Sequence, residues 1–274
     1  MIEICDSHAH LGSQNFQADR ADVLTRARDN GVSLIIEIAC EAGDWENALT
    51  LCRQEEGRIF CVLGLHPHEC GAASPENMAR LETLLKSPEV CALGEIGLDY
   101  MRCPHPRDKQ IEVLSPLLEM AKRTKLPLVF HCRNAQNNEF DAYEDLLDIL
   151  KSSGPFNGGI LHCFSGSAQS AQRAVDMGFL LGVNGTVSYP KNSALREILK
   201  SFGPKHLTLE TDCPYLPPQS KRGKRNEPAL LPEICAALSE TLNLPPEETA
   251  RIAFNNALDV FRLERTQSGF SRKF

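Results

Sequence analysis

Short apolar runs alternate with amphipathic stretches along nearly the whole chain. The runs occupy 2–6, 33–39, 59–63, 90–94, 127–131, 159–162, 179–183 and 206–210. They are rich in Val, Ile, Leu and Cys, and such short continuous runs are expected of strands buried on both faces. The intervening stretches carry apolar residues at helical spacing and predict helices over 18–30, 44–55, 75–86, 106–124, 141–151, 167–177 and 193–201. Two more are predicted at 229–242 and 246–263. No linker or internal repeat interrupts the alternation, so one domain over 1–274 is expected. Eight strand–helix units predict an α/β fold, a distorted (β/α)8 TIM barrel with a C-terminal helical extension. The competing architecture is a doubly wound open sheet, which more often uses roughly five to seven strands.

A barrel of this kind places its chemistry at the carboxyl ends of the strands. The first run leads into Asp6-Ser7-His8-Ala9-His10, the third into His66-Pro67-His68, and the fourth into Glu95 and Asp99. The fifth ends in His131-Cys132-Arg133, the sixth in His162-Cys163-Phe164, and the eighth in Glu210-Thr211-Asp212. Six of the eight histidines thus fall on one rim, which scatter does not produce. In strand geometry His8 and His10 face the same way. Imidazoles and carboxylates gathered at one rim predict a metal centre.

One catalytic metal of the zinc type takes three protein ligands and a water. His8, His10, His131, His162, Glu95 and Asp212 overfill such a site, so two divalent ions are predicted. A carboxylate bridges two ions about 3.5–4 Å apart, and Glu95, mid-barrel, is the expected bridge. His8, His10 and Asp212 complete one site, since strands 1 and 8 adjoin in a closed barrel. His131 and His162 complete the other. Asp99 and Glu210 are expected to orient ligating imidazoles. Cys5, Cys132 and Cys163 each neighbour an inward residue and are expected to pack outward against the helices.

Formal net charge is −7, which argues against a protein that coats long duplexes, because phosphate neutralisation supplies most of that affinity. An acidic chain still handles a nucleic-acid end where bound metal supplies the positive charge. Four cations in 221–225 sit beyond the eighth run and are expected to contact phosphates, with Lys221, Arg222 and Arg225 singled out. Arg133, two residues past His131, suits a phosphate oxygen, and His66 is expected to donate to a phosphate or to support a ligand. Tyr100, Phe164, Tyr189 and Tyr215 are candidates for stacking a base. No long apolar run and no leader-like start appear, and the 11 cysteines lack disulfide-like spacing. These features predict a protein of the cytosol or nucleus, neither secreted nor membrane-bound; no obligate partner is evident, and a monomer is the default expectation.

Asp-x-His-x-His, Gly-Glu-Ile-Gly-Leu-Asp-Tyr, His-x-Arg, His-Cys-Phe-Ser-Gly and Glu-Thr-Asp-x-Pro, in this order from residue 4 to about 262, resemble the TatD family of metal-dependent deoxyribonucleases within the amidohydrolase superfamily. The resemblance points to the animal TatD-domain-containing branch. It implies a deformed barrel, a dinuclear divalent site and hydrolysis of DNA phosphodiesters, often from the 3′ end. It also carries ligand roles onto His8, His10, Glu95, His131, His162 and Asp212. The expected substrate is a DNA end or short single strand, with Asp212 as general base and Glu95 as the second catalytic carboxylate. Zn2+ is expected in the isolated protein, with Mg2+ or Mn2+ as alternatives in turnover. The chain departs from the family where Gly-x-Ser-Gly is common, reading Gly182-Val183-Asn184-Gly185. Two other readings compete. A binuclear amidohydrolase acting on a small cyclic amide, ester or phosphoester commonly bridges its metals with a modified lysine, and no lysine ends a predicted strand here. A non-catalytic scaffold with a relic site conflicts with every ligand position being filled.

Overall fold

In a computed structural model, which describes residues 3–136 and 140–273, eight parallel strands pair in chain order. They are β1 (Ile4–Ala9), β2 (Val32–Ala39), β3 (Ile59–Leu63), β4 (Val90–Asp99), β5 (Leu128–Arg133), β6 (Gly159–Leu161), β7 (Phe179–Val183) and β8 (Leu207–Leu209). Ile2, the expected start of the first strand, lies outside the described residues. Seven helices fill the connections: α1 (Arg20–Asp29), α2 (Trp45–Gln54), α3 (Pro75–Leu84), α4 (Arg107–Thr124), α5 (Ala142–Ser153), α6 (Ala168–Asp176) and α7 (Ser193–Phe202). This is the expected (β/α)8 barrel rather than an open sheet. Helix starts follow local chemistry. Ser74 and Ser167 accept backbone N–H bonds three residues on, and Asp141 accepts from Tyr143 and Glu144, which satisfies otherwise orphaned donors.

The barrel closes between its first and last strands only near their carboxyl ends. The Asp212 N–H donates to the His8 carbonyl and the His10 N–H to the Cys213 carbonyl, both at 2.9 Å. Below them Ser7 Oγ donates to the Leu209 carbonyl, and buried Asp6 accepts from Thr211 N and Oγ1 at 2.8 and 2.6 Å. The seam's bonds tie His8, His10 and Asp212 into one corner.

Inner-face residues Leu34, Ile36, Ile38, Val62, Val129 and Ile160 form one buried cluster. The chain after β8 continues into α8 (Leu231–Leu242) and α9 (Pro246–Val260), and α9 contributes Phe254 and Ala257 to that cluster. The last predicted helix overruns: α9 ends at Val260, and a hairpin of β9 (Leu263–Thr266) and β10 (Gly269–Arg272) follows. Phe270 N–H donates to the Gly57 carbonyl and Arg265 pairs with Glu3, so the hairpin sits at the amino ends of β1 and β3. The extension thus seals the barrel at the end opposite the histidines. Among the described residues no helix is long and apolar enough to cross a membrane.

Candidate metal centre

Glu95 reaches the centre through an irregularity in its strand. Along β4, Gly94 pairs with Val129 and Ile96 with Phe130, leaving Glu95 as the extra residue of a bulge. Bulges re-aim side chains and recur beside active sites. The backbones around it are close. A Cβ on Gly94 would lie 2.5 Å from the Val129 carbonyl oxygen, and one on Gly97, at φ +142°, only 2.0 Å from that of His131. The glycines flanking this carboxylate are therefore required by approach and, at Gly97, by conformation.

The Glu95 carboxylate divides its neighbours between its two oxygens. Oε2 lies 3.5 Å from His8 Nε2. Oε1 lies 2.9 Å from His131 Nδ1, 3.8 Å from His66 Nε2 and 4.0 Å from His162 Nε2. Asp212 Oδ1 sits across the ring, 3.4 Å from His10 Nε2 and 3.7 Å from His162 Nε2. Donor atoms gather as His8–His10–Glu95 and as His66–Glu95–His131, with Glu95 common to both. The six ligand candidates read from the sequence thus lie together, and the structure adds His66 to their ring.

The donor set fits divalent metal. His8 is fully buried, yet neither ring nitrogen has a hydrogen-bond partner among the described residues. An unpaired buried imidazole is costly unless another group takes a lone pair. Its ring stacks on His162 with centroids 3.4 Å apart, which places two imidazoles side by side over the carboxylates. Electrostatics follow from this crowding. Burial opposes ionisation of Glu95, but the hydrogen bond with His131 and the close imidazole of His8 prevail and hold it well below the usual carboxylate range. Asp212 is lowered against its burial by His162 and His10. Burial would lower His162, yet Glu210 and Asp212 raise it to about 10, whereas burial and the neighbouring His162 lower His8. Burial takes His66 down to about 3.

A surrounding layer holds the rings. Asp99 Oδ2 lies 2.9 Å from His131 Nε2, while its Oδ1 accepts N–H bonds from Met101 and Arg102. Glu210 Oε1 is 3.0 Å from His162 Nδ1 and accepts the Cys163 N–H at 2.8 Å. Asn184 takes the turn after β7, where its Oδ1 accepts from Thr186 N and Oγ1. Two carboxylates have a role that the sequence reading did not assign: Glu37, which it did not single out, and Asp6, which it named only as part of the first strand end. Glu37, buried, accepts the Leu11 and Gly12 N–H groups at 2.7 and 2.8 Å and so fixes the turn after His10. Asp6 secures the barrel seam. The available signal was a carboxylate inside each apolar run.

Two cysteines depart from expectation. A register shift between Ile4 and Cys5 puts Cys5 in the inner cluster, whereas Cys132 packs with the helix layer as expected. Cys163 adopts φ 47°, leaving strand geometry, and its sulfur comes within the ring of donors formed with His162 and Asp212. All 11 cysteines are free thiols.

Arg133 is on the rim, its Nη1 3.8 Å from Asp99 Oδ2. Arg222 is exposed and stacks over Tyr189, 4.5 Å from the ring centroid. Lys221 and Lys224 lie on the same loop. Arg225 is engaged elsewhere: its guanidinium pairs with both Asp19 oxygens at 2.9 and 2.6 Å and donates to the Asn15 carbonyl. The expected phosphate role for Arg225 gives way to a tether between this loop and the start of α1.

A parallel barrel with an imidazole–carboxylate ring at its carboxyl rim defines a metal-dependent hydrolase. The model of the TatD related DNase family matches residues 5–262. The chain is 34% identical over 259 residues to an uncharacterized metal-dependent hydrolase of Bacillus subtilis, YabD, covering 94% of this chain and 98% of that protein. It is 32% identical over 264 residues to the 3′-5′ ssDNA/RNA exonuclease TatD of Erwinia billingiae, covering 94% and 98%. The crystal structure of YjjV, a TatD homolog from Escherichia coli, superposes with a TM-score of 0.86 at 31% identity, covering 96% and 99%. The protein belongs to the TatD family and is a metal-dependent hydrolase acting on ester bonds.

Proposed function

We propose that the protein hydrolyses phosphodiester bonds at the ends of single-stranded DNA through a two-metal centre, with release from the 3′ end. The observation that carries this reading is the division of Glu95 between two sets of imidazoles, His8 with His10 and His131 with His66. His8, His10 and Asp212 would hold one ion and His131, with His66 beside it, the other, Glu95 offering an oxygen to each set; His162, expected beside His131, groups instead with Asp212. When bound there, divalent metal would supply a water acidic enough to act near neutral pH and positive charge to offset that of the phosphate. Asp212, held ionised, accepts the water proton at a carboxylate oxygen. Asp99 and Glu210 keep His131 and His162 from rotating. Arg133 offers a planar pair of donors to a non-bridging phosphate oxygen. Relatives named as 3′-5′ ssDNA/RNA exonucleases support the substrate class.

A small-molecule amidohydrolase is the alternative. Glu95 stands where a modified lysine would bridge, which favours the phosphodiesterase. End-labelled single-stranded DNA, incubated with Zn2+, Mg2+ or Mn2+ and with a chelator control, tests the proposal. Stepwise loss of nucleotides from the 3′ end is expected, abolished by chelation. Turnover of lactones or hydantoins with intact oligonucleotide would overturn it.

A further inference from the structure

The four aromatic residues near strand ends meet different fates. Phe164 is buried. The Tyr100 hydroxyl donates to Asp145 at 2.7 Å, and that of Tyr189 to the Pro217 carbonyl at 2.8 Å beneath Arg222. Tyr215 stands apart, 58% exposed, its ring set edge-on to His10 with centroids 6.0 Å apart.

A single exposed aromatic is ordinary, but the support under this one is not. The Tyr215 N–H donates to the Asp212 carbonyl at 2.9 Å, and its carbonyl accepts from Asn226 Nδ2 at 2.7 Å. Asn226 is fully buried; the same amide donates to the Thr211 carbonyl at 2.8 Å and its N–H to the Pro214 carbonyl at 3.1 Å. The backbone is thus pinned to the strand end that carries Asp212, while the ring is bare. Asn226 also directly follows the basic loop, so Lys221, Arg222 and Lys224 share the anchor. A rigid ring beside cations and a phosphate-handling centre has the composition of a single-strand stacking platform.

We propose that Tyr215 is a nucleobase-stacking subsite. It receives the base of the terminal nucleotide whose phosphate lies at the His10–Asp212 corner. The inference rests on the nuclease reading above and adds the residue that senses the base. Stacking tolerates any base, because every base offers a π-face.

The test compares wild type, Y215F and Y215A as the metal-loaded full chain. Binding is read by fluorescence anisotropy on single-stranded oligonucleotides whose terminal linkages are phosphorothioates, ending in either a normal or an abasic nucleotide. Y215A is expected to weaken binding of the intact end about 5- to 100-fold, with Y215F unchanged and no difference on the abasic end. Metal content stays the same in all three. Equal binding of the intact end by Y215A and wild type overturns the subsite. So does an equal loss on both ends, which places the ring's effect on His10 or the fold. Cleavage of unmodified oligonucleotide, assayed in parallel, separates the two readings. Tyr215-dependent binding without cleavage removes the nuclease and leaves the subsite. Cleavage with Tyr215-independent binding removes the subsite alone, and absence of all binding removes both.

Discussion

His8 on the first strand and His162 beyond the sixth stack face to face, ring centroids 3.4 Å apart and planes within 15°. Two buried imidazolium ions cannot share that distance cheaply, so the pair divides its protons. Glu210 and Asp212 hold a proton on His162, whose pKa rises to about 10 against its burial, while His8 is kept neutral. Metal must displace that proton, because only neutral imidazole ligates. At pH 7 the metal-free protein should therefore release at least about one proton on loading with Zn2+, and apparent affinity should rise with pH. Calorimetry in buffers of different ionisation enthalpy measures the release. The sign for stability is opposite. A raised histidine pKa gives the metal-free fold stability that is complete below about pH 6.5 and lost as pH rises through about 10.

His8 and His10 serve one side of Glu95, and His66 and His131 the other. The double variant H8A/H10A should lose about half of the bound metal while the His131 side still loads, and hydrolysis should fall at least about 100-fold. Elemental analysis after dialysis against Zn2+ gives the stoichiometry. Full retention of both ions in the double variant would show that the first-strand pair is not a ligand pair.

Asp212 tests the chemistry separately from the metal. D212N keeps the size and one carbonyl oxygen but cannot take a proton from water. A general base contributes about 10²- to 10⁴-fold, so kcat should fall in that range while the His131 side of the centre stays loaded. Its pKa is lowered by His162 and His10 against burial, so the carboxylate remains ionised as pH falls into the usual Asp range. The acid limb of the rate profile therefore belongs to displacement of metal from the histidines rather than to Asp212. A wild-type rate for metal-loaded D212N removes Asp212 from the base role.

The eight-strand alternation was legible because every strand is a short apolar run between turn residues, and period-two spacing brought His131 and Arg133 to one face. Three things escaped for the same reason: they depend on departures from regular strand geometry. The bulge at Glu95, the positive φ at Cys163 and the register shift beside Cys5 each change which way a side chain points. Pattern alone assumes that alternation continues. His66 was legible as a rim residue but not as a neighbour of Glu95, since its place depends on the turn that follows β3. The terminal hairpin was hidden because Leu263 extends the apolar spacing of the helix before it.

Gly182 gives a steric test of the support beneath His162. A Cβ there would lie 2.3 Å from Glu210 Oε2 and 2.8 Å from its carboxyl carbon. G182A must push Glu210 away, and Glu210 is the group 3.0 Å from His162 Nδ1. Overpacking at such a site costs about 1–3 kcal/mol, and removing the partner that orients a ligating imidazole weakens metal binding about 10- to 100-fold. Thermal unfolding and Zn2+ titration together check it. A G182A protein with unchanged metal affinity would mean that Glu210 does not position His162.

The loop after β8 separates phosphate binding from tethering. Lys221, Arg222 and Lys224 lack carboxylate partners among the described residues, while Arg225 is held by Asp19 and Asn15. Replacing the first three with Ala should weaken single-strand binding. It should also reduce the slope of log affinity against log salt by about 0.7 for each phosphate no longer neutralised, about 2 in total. R225A should act differently. It leaves Asp19 without this partner and frees the loop from α1, so stability falls by about 1 kcal/mol or less, as for exposed ion pairs, with little change in salt slope. Binding titrations across a salt series, paired with thermal melts, distinguish the two. A salt slope that drops as much in R225A as in the triple variant would assign phosphate binding to Arg225 as well.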